Sequence, residues 1–95
     1  MKKGIAILGS TGSIGTQALE VINEQRDKFH VEVLTANNSA SLLIKQAKIY
    51  RPNSVVIVND DKYNKVFSEL SPLNIKVYSG SKSLQQIVDS EKIDI

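Results

Sequence analysis

Cysteine and tryptophan are absent from the 95-residue sequence, and its aromatic side chains are two phenylalanines and three tyrosines. Without cysteine the chain has no disulfide framework and no thiolate metal site, which fits a reducing compartment, so we expect a cytoplasmic protein. No apolar run approaches the roughly 20 residues that a membrane span requires, and the run after residues 1–3 is too short for a signal peptide. The net charge is only +2, and no basic face carries interleaved aromatics. Neither a membrane nor a nucleic acid is therefore an expected partner.

What the sequence does contain is a regular alternation of apolar runs and helix-like segments. The hydrophobic fraction of 41% and the charged fraction of 23% are those of an ordinary globular chain, and the length allows one small domain. The predicted strands are 5–8, 31–35, 54–58 and 75–78. The first predicted helix runs from Ile14 to Glu24 or Gln25, and the second ends before Pro52. A third, short helix covers 63–70, and a fourth opens with capping-box spacing between Ser83 and Gln86.

This βαβαβαβα order predicts an α/β fold, a three-layer α/β/α arrangement with a parallel sheet and helices on both faces. Ile93, Asp94 and Ile95 indicate the start of a fifth strand. Because a natural domain rarely stops at that point, we expect a truncated chain in which residues 1–95 form one incomplete domain.

A glycine-rich turn follows the first predicted strand and precedes the first helix. Gly9, Gly12 and Gly15 recur at three-residue spacing, and each glycine has a different expected use. One permits a positive φ, one lets the backbone approach a pyrophosphate, and one lets the helix pack closely on the strand. The free N–H groups and the dipole of the helix N-terminus would face the anion, with Thr11 and Ser13 adding hydroxyl donors. The alternative is a tight turn that binds nothing, although such a turn needs one glycine rather than three.

The loop after the second predicted strand bears on which dinucleotide is bound. NAD-binding domains of this type place a carboxylate there, about 20 residues past the glycines, to bind the ribose diol. Residues 34–39 contain no carboxylate, and since a carboxylate would repel a 2′-phosphate, its absence favours NADP. Asn37, Asn38, Ser39 and the following helix N-terminus are candidate phosphate ligands, with Lys45 as a distant charge. Alternatively, Asn38 and Ser39 only cap that helix.

No catalytic set and no metal-binding cluster is visible in the sequence. His30, the only histidine, has no partner in view and is expected to be a solvated turn residue. Asp60 and Asp61 offer too few oxygen ligands for a metal and are expected to cap a helix. The residues alone therefore predict cofactor binding without chemistry. The nucleotide-binding half of an NAD(P)-dependent oxidoreductase and a non-catalytic nucleotide-binding or structural module both remain open.

Residues 4–19, GIAILGSTGSIGTQAL, closely resemble the N-terminus of the 1-deoxy-D-xylulose 5-phosphate reductoisomerase family. The GSTGSIGTQ stretch within them is much more specific than a generic glycine fingerprint. The resemblance continues through residues 36–38, Pro52 with the strand after it, and residues 77–80. It therefore covers the whole chain, but only about the first quarter of such an enzyme.

The resemblance implies a Rossmann-like fold and the NADPH-binding part of an enzyme of non-mevalonate isoprenoid biosynthesis. Such an enzyme isomerises and reduces 1-deoxy-D-xylulose 5-phosphate to 2-C-methyl-D-erythritol 4-phosphate, using a divalent metal, Mg or Mn. In the family the metal ligands and the substrate-phosphate residues lie downstream of the segment present here. A phosphorylated-sugar substrate and a homodimer are thus implied for the full-length protein, and this chain alone is expected to be inactive.

The resemblance also implies which residues contact the cofactor. The family's NADPH-contacting glycine-loop residues correspond to Thr11, Gly12, Ser13 and Ile14. The family's second loop is usually Gly-Lys/Arg-Asn and contacts the adenosine end, whereas this chain has Ala-Asn-Asn and so lacks the cation. Together with the residues that precede them in the glycine turn, the predicted cofactor-binding residues are Gly9, Ser10, Thr11, Gly12, Ser13, Ile14, Ala36, Asn37 and Asn38. No catalytic residue and no metal ligand is predicted within the chain.

Overall fold

The computed structural model describes residues 3–88, which form a parallel four-stranded sheet with helices. In chain order the elements are β1 (Lys3–Ile7), α1 (Ser13–Glu24), β2 (Phe29–Ala36), α2 (Ala40–Tyr50), β3 (Ser54–Ile57), α3 (Tyr63–Leu70), β4 (Lys76–Ser79) and α4 (Ser81–Val88). Short 3-10 helices, Asp60–Lys62 and Ser71–Leu73, precede and follow α3. The longest helix in this part of the chain, α1, has 12 residues, and none is long and apolar enough to cross a membrane.

The strands lie side by side in the order in which they occur along the chain, β1-β2-β3-β4, and each pair is parallel. The two central strands are β2 and β3, and all four residues of β3 are buried, as its β-branched sequence predicts for a strand covered on both faces. Between β1 and β2 the register shifts, because Ile5 pairs with Val31 and Ala6 pairs with Val33. Glu32 is therefore an extra residue in β2.

The helices cover the two faces of the sheet unequally. Consecutive parallel strands joined by crossovers of one hand place the connecting helices on one face, and α1, α2 and α3 share a single core there. Their buried side chains pack with Leu34, Val55 and Ile57 of the central strands. α4 lies on the other face of the sheet, over the strand residues that alternate with those of the core. Its Ser83 and Ile87 line a cavity together with Val33 of β2 and Tyr78 of β4. The predicted three-layer arrangement with helices on both faces is confirmed.

Most predicted elements are present, with differences at their ends. The second helix ends at Tyr50, and its C-cap, Arg51, has a left-handed conformation (φ 50°) directly before Pro52. The capping box predicted for the fourth helix is wrong, because that helix begins at Ser81, directly after Gly80, whose φ is +89°. The Ser83 hydroxyl instead donates to the Ser79 carbonyl at 2.8 Å. The predicted fifth strand at residues 93–95 lies outside the described residues.

Candidate cofactor-binding site

The glycine turn connects β1 to α1 at the carboxyl edge of the sheet and is attached to the end of the neighbouring strand β2. The Gly9 N–H donates to Thr35 Oγ1 at 2.9 Å, and the Ser10 N–H donates to the Thr35 carbonyl at 2.8 Å. Two successive peptide units of the turn are thus held by one residue of β2. The turn lies where parallel α/β sheets bind their ligands, outside the carboxyl ends of the strands.

The three glycines of the turn have three different structural environments. Gly9 has a φ of +67°, a conformation that a side chain penalises, although a Cβ there would meet nothing within 4 Å. A Cβ on Gly15 would lie 2.3 Å from the Gly9 carbonyl oxygen, so α1 can approach the turn only because this residue has no side chain. Both roles agree with the sequence prediction.

Gly12 differs from the other two glycines because nothing in the described chain requires it. Its φ is −81°, which any residue adopts. A Cβ at this position would meet only the Gly9 carbonyl oxygen, at the ordinary contact distance of 3.4 Å. Gly12 is also exposed. A side chain there would project from the turn without disturbing the fold.

The N-terminus of α1 offers unpaired N–H groups beside Gly12. The helix begins at Ser13, and its first backbone hydrogen bond runs from the Thr16 N–H to the Gly12 carbonyl at 2.9 Å. The N–H groups of Ser13 and Ile14 therefore have no intrahelical acceptor. The Thr11 N–H also makes no hydrogen bond to the part of the chain that the structure describes. These three donors, together with the helix dipole, form a surface suited to an anion.

Ser10 has a different position from the one predicted. It is completely buried, with 0% of its surface exposed, and its hydroxyl donates to Gln46 Oε1 of α2 at 2.7 Å. The Gln46 side chain returns a hydrogen bond from Nε2 to the Ser10 carbonyl at 2.8 Å. Ser10 therefore has no surface for a ligand in this structure, which corrects its prediction as a direct contact. Its role here is to anchor the turn to α2.

The second predicted loop, residues 36–38, begins with the last residue of β2 and lies next to the glycine turn. Ala36 is only 2% exposed and belongs to the core, so its prediction as a direct contact is also corrected, whereas Asn37 and Asn38 are exposed. Asn38 Oδ1 accepts a hydrogen bond from Asn59 Nδ2 at 2.8 Å, and the Asn59 N–H donates to the Asn37 carbonyl at 2.9 Å. The N-cap of α2 is Ser39, whose side chain makes no capping hydrogen bond. The loop is thus held by the segment after β3 rather than by its own caps.

A positive charge approaches this loop from α3. Lys65 Nζ donates to the hydroxyl of Ser41, in the first turn of α2, at 2.8 Å. Sequence reasoning did not identify Lys65, because its proximity depends on how α2 and α3 pack. The sequence feature that could have identified Lys65 is the amphipathic pattern of α3, which predicts that this helix packs against the sheet beside α2.

A cleft of about 660 Å³ opens beside the glycine turn. Gly9, Gly12 and Ser13 provide its polar backbone edge, and Leu8 and Ile14 provide apolar side chains. Ile14 is 83% exposed, which is unusual for a large apolar residue on a folded domain. A ligand with both an anionic and a flat apolar part would match this surface. The cleft is separate from a cavity of about 500 Å³ near Asn53, which precedes β3 at the amino edge of the sheet.

Other polar residues considered in the sequence do not form a reaction centre. No group of three or more His, Asp or Glu side chains suited to a metal occurs among residues 3–88. The prediction that Asp60 and Asp61 cap a helix is wrong, because Asn59 is the cap and accepts a hydrogen bond from the Asp61 N–H at 3.0 Å. Asp60 and Asp61 lie in the first turn of that 3-10 helix. His30 is exposed, as predicted, but it lies in β2 and not in a turn. It contacts the Glu32 carboxylate, a partner that was not predicted.

The parallel sheet and the glycine turn at the end of β1 define a Rossmann-like α/β domain of the dinucleotide-binding type. A model of the 1-deoxy-D-xylulose 5-phosphate reductoisomerase family matches residues 5–95. The chain therefore belongs to the 1-deoxy-D-xylulose 5-phosphate reductoisomerase family, as the resemblance of its glycine turn predicted.

Individual relatives and solved structures agree with this assignment. The chain is 57% identical over its whole length to the 1-deoxy-D-xylulose 5-phosphate reductoisomerase of Phocaeicola vulgatus, of which it covers 25%. It is similar to the Zymomonas mobilis reductoisomerase in complex with NADPH, with a TM-score of 0.86 and 29% identity over 90% of this chain and 23% of that one. A reductoisomerase bound to NADPH, fosmidomycin and magnesium gives a TM-score of 0.89 at 26% identity, over 97% of this chain and 23% of that one. The chain thus spans about a quarter of the length of the curated relatives it matches.

Proposed function

We propose that this chain is the NADPH-binding part of a 1-deoxy-D-xylulose 5-phosphate reductoisomerase, with residues 1–95 belonging to its N-terminal domain. The full-length protein would isomerise and reduce 1-deoxy-D-xylulose 5-phosphate to 2-C-methyl-D-erythritol 4-phosphate. Membership of the family and the NADPH bound by the similar Zymomonas mobilis enzyme support the assignment. Among the residues of this chain, the environment of Gly12 carries it.

The glycine at position 12 supports the proposal of a bound anion, because neither its φ nor a contact within the described chain requires a glycine there. Gly9 and Gly15 are explained by a positive φ and by close packing, whereas a Cβ on Gly12 would meet only one atom, at 3.4 Å. The free N–H groups of Thr11, Ser13 and Ile14 lie beside it. A pyrophosphate held by these donors would occupy the space that a Gly12 side chain would fill.

The residues proposed to hold NADPH are a subset of those predicted from the sequence. The backbone of Gly9, Thr11, Gly12 and Ser13 would bind the pyrophosphate, and the exposed Ile14 would pack on an apolar part of the cofactor. Asn37 and Asn38 would contact the adenosine end, while Ser10 and Ala36 hold the two loops from within. When bound, NADPH supplies a hydride to the substrate carbonyl, and this chain's contribution is to bind and orient the cofactor.

The 2′-phosphate of NADPH requires a cation that residues 36–38 do not contain. Lys65 Nζ lies 2.8 Å from the hydroxyl of Ser41, at the N-terminus of the helix that follows this loop. We propose that Lys65 supplies the positive charge there, with the N-terminus of α2 and the Asn38 amide as hydrogen-bond donors.

The remaining properties of the full-length protein are proposed from family membership. They are a divalent metal, a phosphorylated-sugar substrate, a homodimer and a cytoplasmic location. The similar structure with magnesium and fosmidomycin supports the metal for that protein, and residues 3–88 of this chain provide no acidic cluster for one. The metal ligands are therefore proposed to come from elsewhere in the full-length protein.

A comparison of the two nicotinamide cofactors tests the proposal. The full-length protein should bind NADPH more tightly than NADH in a fluorescence titration, and it should oxidise NADPH when 1-deoxy-D-xylulose 5-phosphate and Mg²⁺ are added. Equal affinities for the two cofactors would contradict the NADP assignment. NADPH binding and oxidation with another carbonyl substrate only would indicate a different oxidoreductase, and no nucleotide binding would indicate a structural module.

A further inference from the structure

A buried glutamine on α2 is bonded to the glycine turn in a way that core packing does not require. The inward side of α2 is otherwise apolar, with Leu43, Ile44 and Ala47 in the core. Gln46 is only 6% exposed and lies against the completely buried Ser10. Burying a carboxamide is unfavourable unless its polar atoms are hydrogen-bonded. A glutamine buried beside the turn therefore indicates a specific hydrogen-bonding role.

The two hydrogen bonds between Ser10 and Gln46 run in opposite directions. The Ser10 hydroxyl donates to Gln46 Oε1 at 2.7 Å, and Gln46 Nε2 donates to the Ser10 carbonyl at 2.8 Å. A reversed amide would turn its oxygen toward the Ser10 carbonyl oxygen, two acceptors without a hydrogen between them, so this arrangement fixes the amide orientation. No buried side-chain nitrogen or oxygen lacks a partner among the described residues.

Gln46 is the nearer of two donors to the Ser10 carbonyl. The Thr16 hydroxyl lies 3.4 Å from the same carbonyl oxygen but only 2.7 Å from the Gly12 carbonyl oxygen, which is its shorter bond. In a trans peptide the carbonyl and the N–H point in opposite directions, and no cis peptide occurs in the described chain. Gln46 directs the Ser10 carbonyl toward α2, so the Thr11 N–H of the same peptide points away from α2. That N–H makes no hydrogen bond within residues 3–88. The preceding peptide is held separately, by the Ser10 N–H on the Thr35 carbonyl.

We infer that Gln46 is a positioning residue for the cofactor site, which holds the Ser10–Thr11 peptide so that the Thr11 N–H donates to the pyrophosphate of NADPH. Without this bond only the longer contact from the Thr16 hydroxyl, at 3.4 Å, holds the Ser10 carbonyl, so the peptide can rotate more easily and present that carbonyl oxygen to the anion, which repels it. The inference rests on the proposed function, because it specifies how the same site recognises its anion. Gln46 itself touches no ligand.

Substitution of Gln46 in the full-length protein tests the inference. Gln46→Met keeps the length and burial of the side chain but removes both hydrogen bonds, and it should raise the Kd for NADPH about tenfold. Adenosine 2′-monophosphate, which has no pyrophosphate, should bind Gln46→Met as it binds the wild type. Ser10→Ala removes the hydroxyl but leaves the Gln46 bond to the Ser10 carbonyl, so its Kd for NADPH should rise less than about threefold.

A control separates positioning from general destabilisation. Ile44→Val removes one methylene from the buried side of the same helix and should lower Tm without changing either Kd. Wild-type affinity for NADPH in Gln46→Met would overturn the inference and leave the proposed function standing. Equal weakening of NADPH and adenosine 2′-monophosphate would also overturn it, because the effect would then be structural. If the wild type binds no NADPH, the proposed function fails and the inference fails with it.

A second measurement needs no variant and applies even if Gln46→Met does not fold. In the wild-type protein, saturating NADPH should slow hydrogen exchange of the Thr11 amide, since that N–H becomes hydrogen-bonded. Adenosine 2′-monophosphate should leave its exchange rate unchanged. Thr11 exchange that NADPH does not slow would overturn the inference.

Discussion

The ammonium nitrogen of Lys65 lies 2.8 Å from the hydroxyl oxygen of Ser41, which joins α3 to the first turn of α2. An ammonium group can only donate, so the Ser41 hydroxyl hydrogen stays available to another acceptor. The two groups thus present a positive charge and an O–H donor beside the loop that contains Asn37 and Asn38. They lie 24 positions apart in the sequence. The positive charge therefore comes from α3 and not from residues 36–38, where the family usually has a lysine or arginine.

Replacing Lys65 should reduce the preference for NADPH over NADH. In Lys65→Met the Kd for NADPH should rise about three- to tenfold, because one exposed charge-assisted contact to the 2′-phosphate is lost. The Kd for NADH should not change, since NADH carries no phosphate at that position. Fluorescence titration of both cofactors at low ionic strength measures the difference, and added salt should narrow it.

Lys48→Met is the matched control for Lys65→Met. Lys48 is also exposed, and it pairs with Glu69 at 2.9 Å near the opposite, C-terminal end of α2. Its removal changes the net charge by the same amount, so it should leave the NADPH to NADH ratio unaltered. A similar loss of selectivity in both variants would indicate a general charge effect and contradict the role given to Lys65.

Gly12→Val should abolish NADPH binding while the protein remains folded. A Cβ at Gly12 would meet only the Gly9 carbonyl oxygen, at 3.4 Å, and the backbone φ is ordinary, so Tm should fall by no more than a few degrees. The added side chain would occupy the place of the pyrophosphate, and the Kd for NADPH should rise by at least about a hundredfold. Titration and a melting curve on the same sample check both halves. Retained NADPH affinity with a normal melting curve would refute the anion site.

Gly15→Ala should have the opposite effect: its main consequence should be a lower free energy of unfolding, and any change in NADPH binding should follow from that destabilisation. Its Cβ would lie 2.3 Å from the Gly9 carbonyl oxygen and 2.7 Å from the Ser10 Cα. These are backbone atoms that cannot move aside without shifting the turn. Such overpacking costs about 1–3 kcal/mol or more, which denaturant unfolding of the full-length protein should reveal. An unchanged midpoint would show that α1 can move away from the turn.

The parts of the site that depend on local backbone sterics could be predicted from the sequence. The strand, turn and helix around Gly9 and Gly15 follow from short-range pattern and from the absence of a Cβ. The same reasoning assigned a capping box to Ser83, where it was wrong. The i, i+3 spacing does not determine where a helix begins, and the left-handed Gly80 starts this one earlier.

The parts that depend on distant partners could not be predicted. A serine within a glycine turn is expected to be exposed, whereas Ser10 is a buried anchor because Gln46, 36 positions away, and Thr35 of β2 both bond to it. Ala36 likewise ends a strand that proves to be core. One local signal was available for Gln46: it lies between the apolar positions Ile44 and Ala47 of a helix, where a glutamine predicts a specific hydrogen-bond partner.

Asn59 should affect stability and cofactor affinity through two separate hydrogen bonds. Its Oδ1 accepts from the Asp61 N–H at 3.0 Å, and its Nδ2 donates to Asn38 Oδ1 at 2.8 Å. Asn59→Ala removes both, so we expect a loss of about 1 kcal/mol from the missing cap and a several-fold higher Kd for NADPH from the released Asn38 loop. Asn59→Ser keeps an oxygen that can cap the 3-10 helix but is too short to reach Asn38. It should therefore recover most of the stability and none of the affinity. If the serine variant recovered both, the Asn38 contact would have no part in holding the loop for the cofactor.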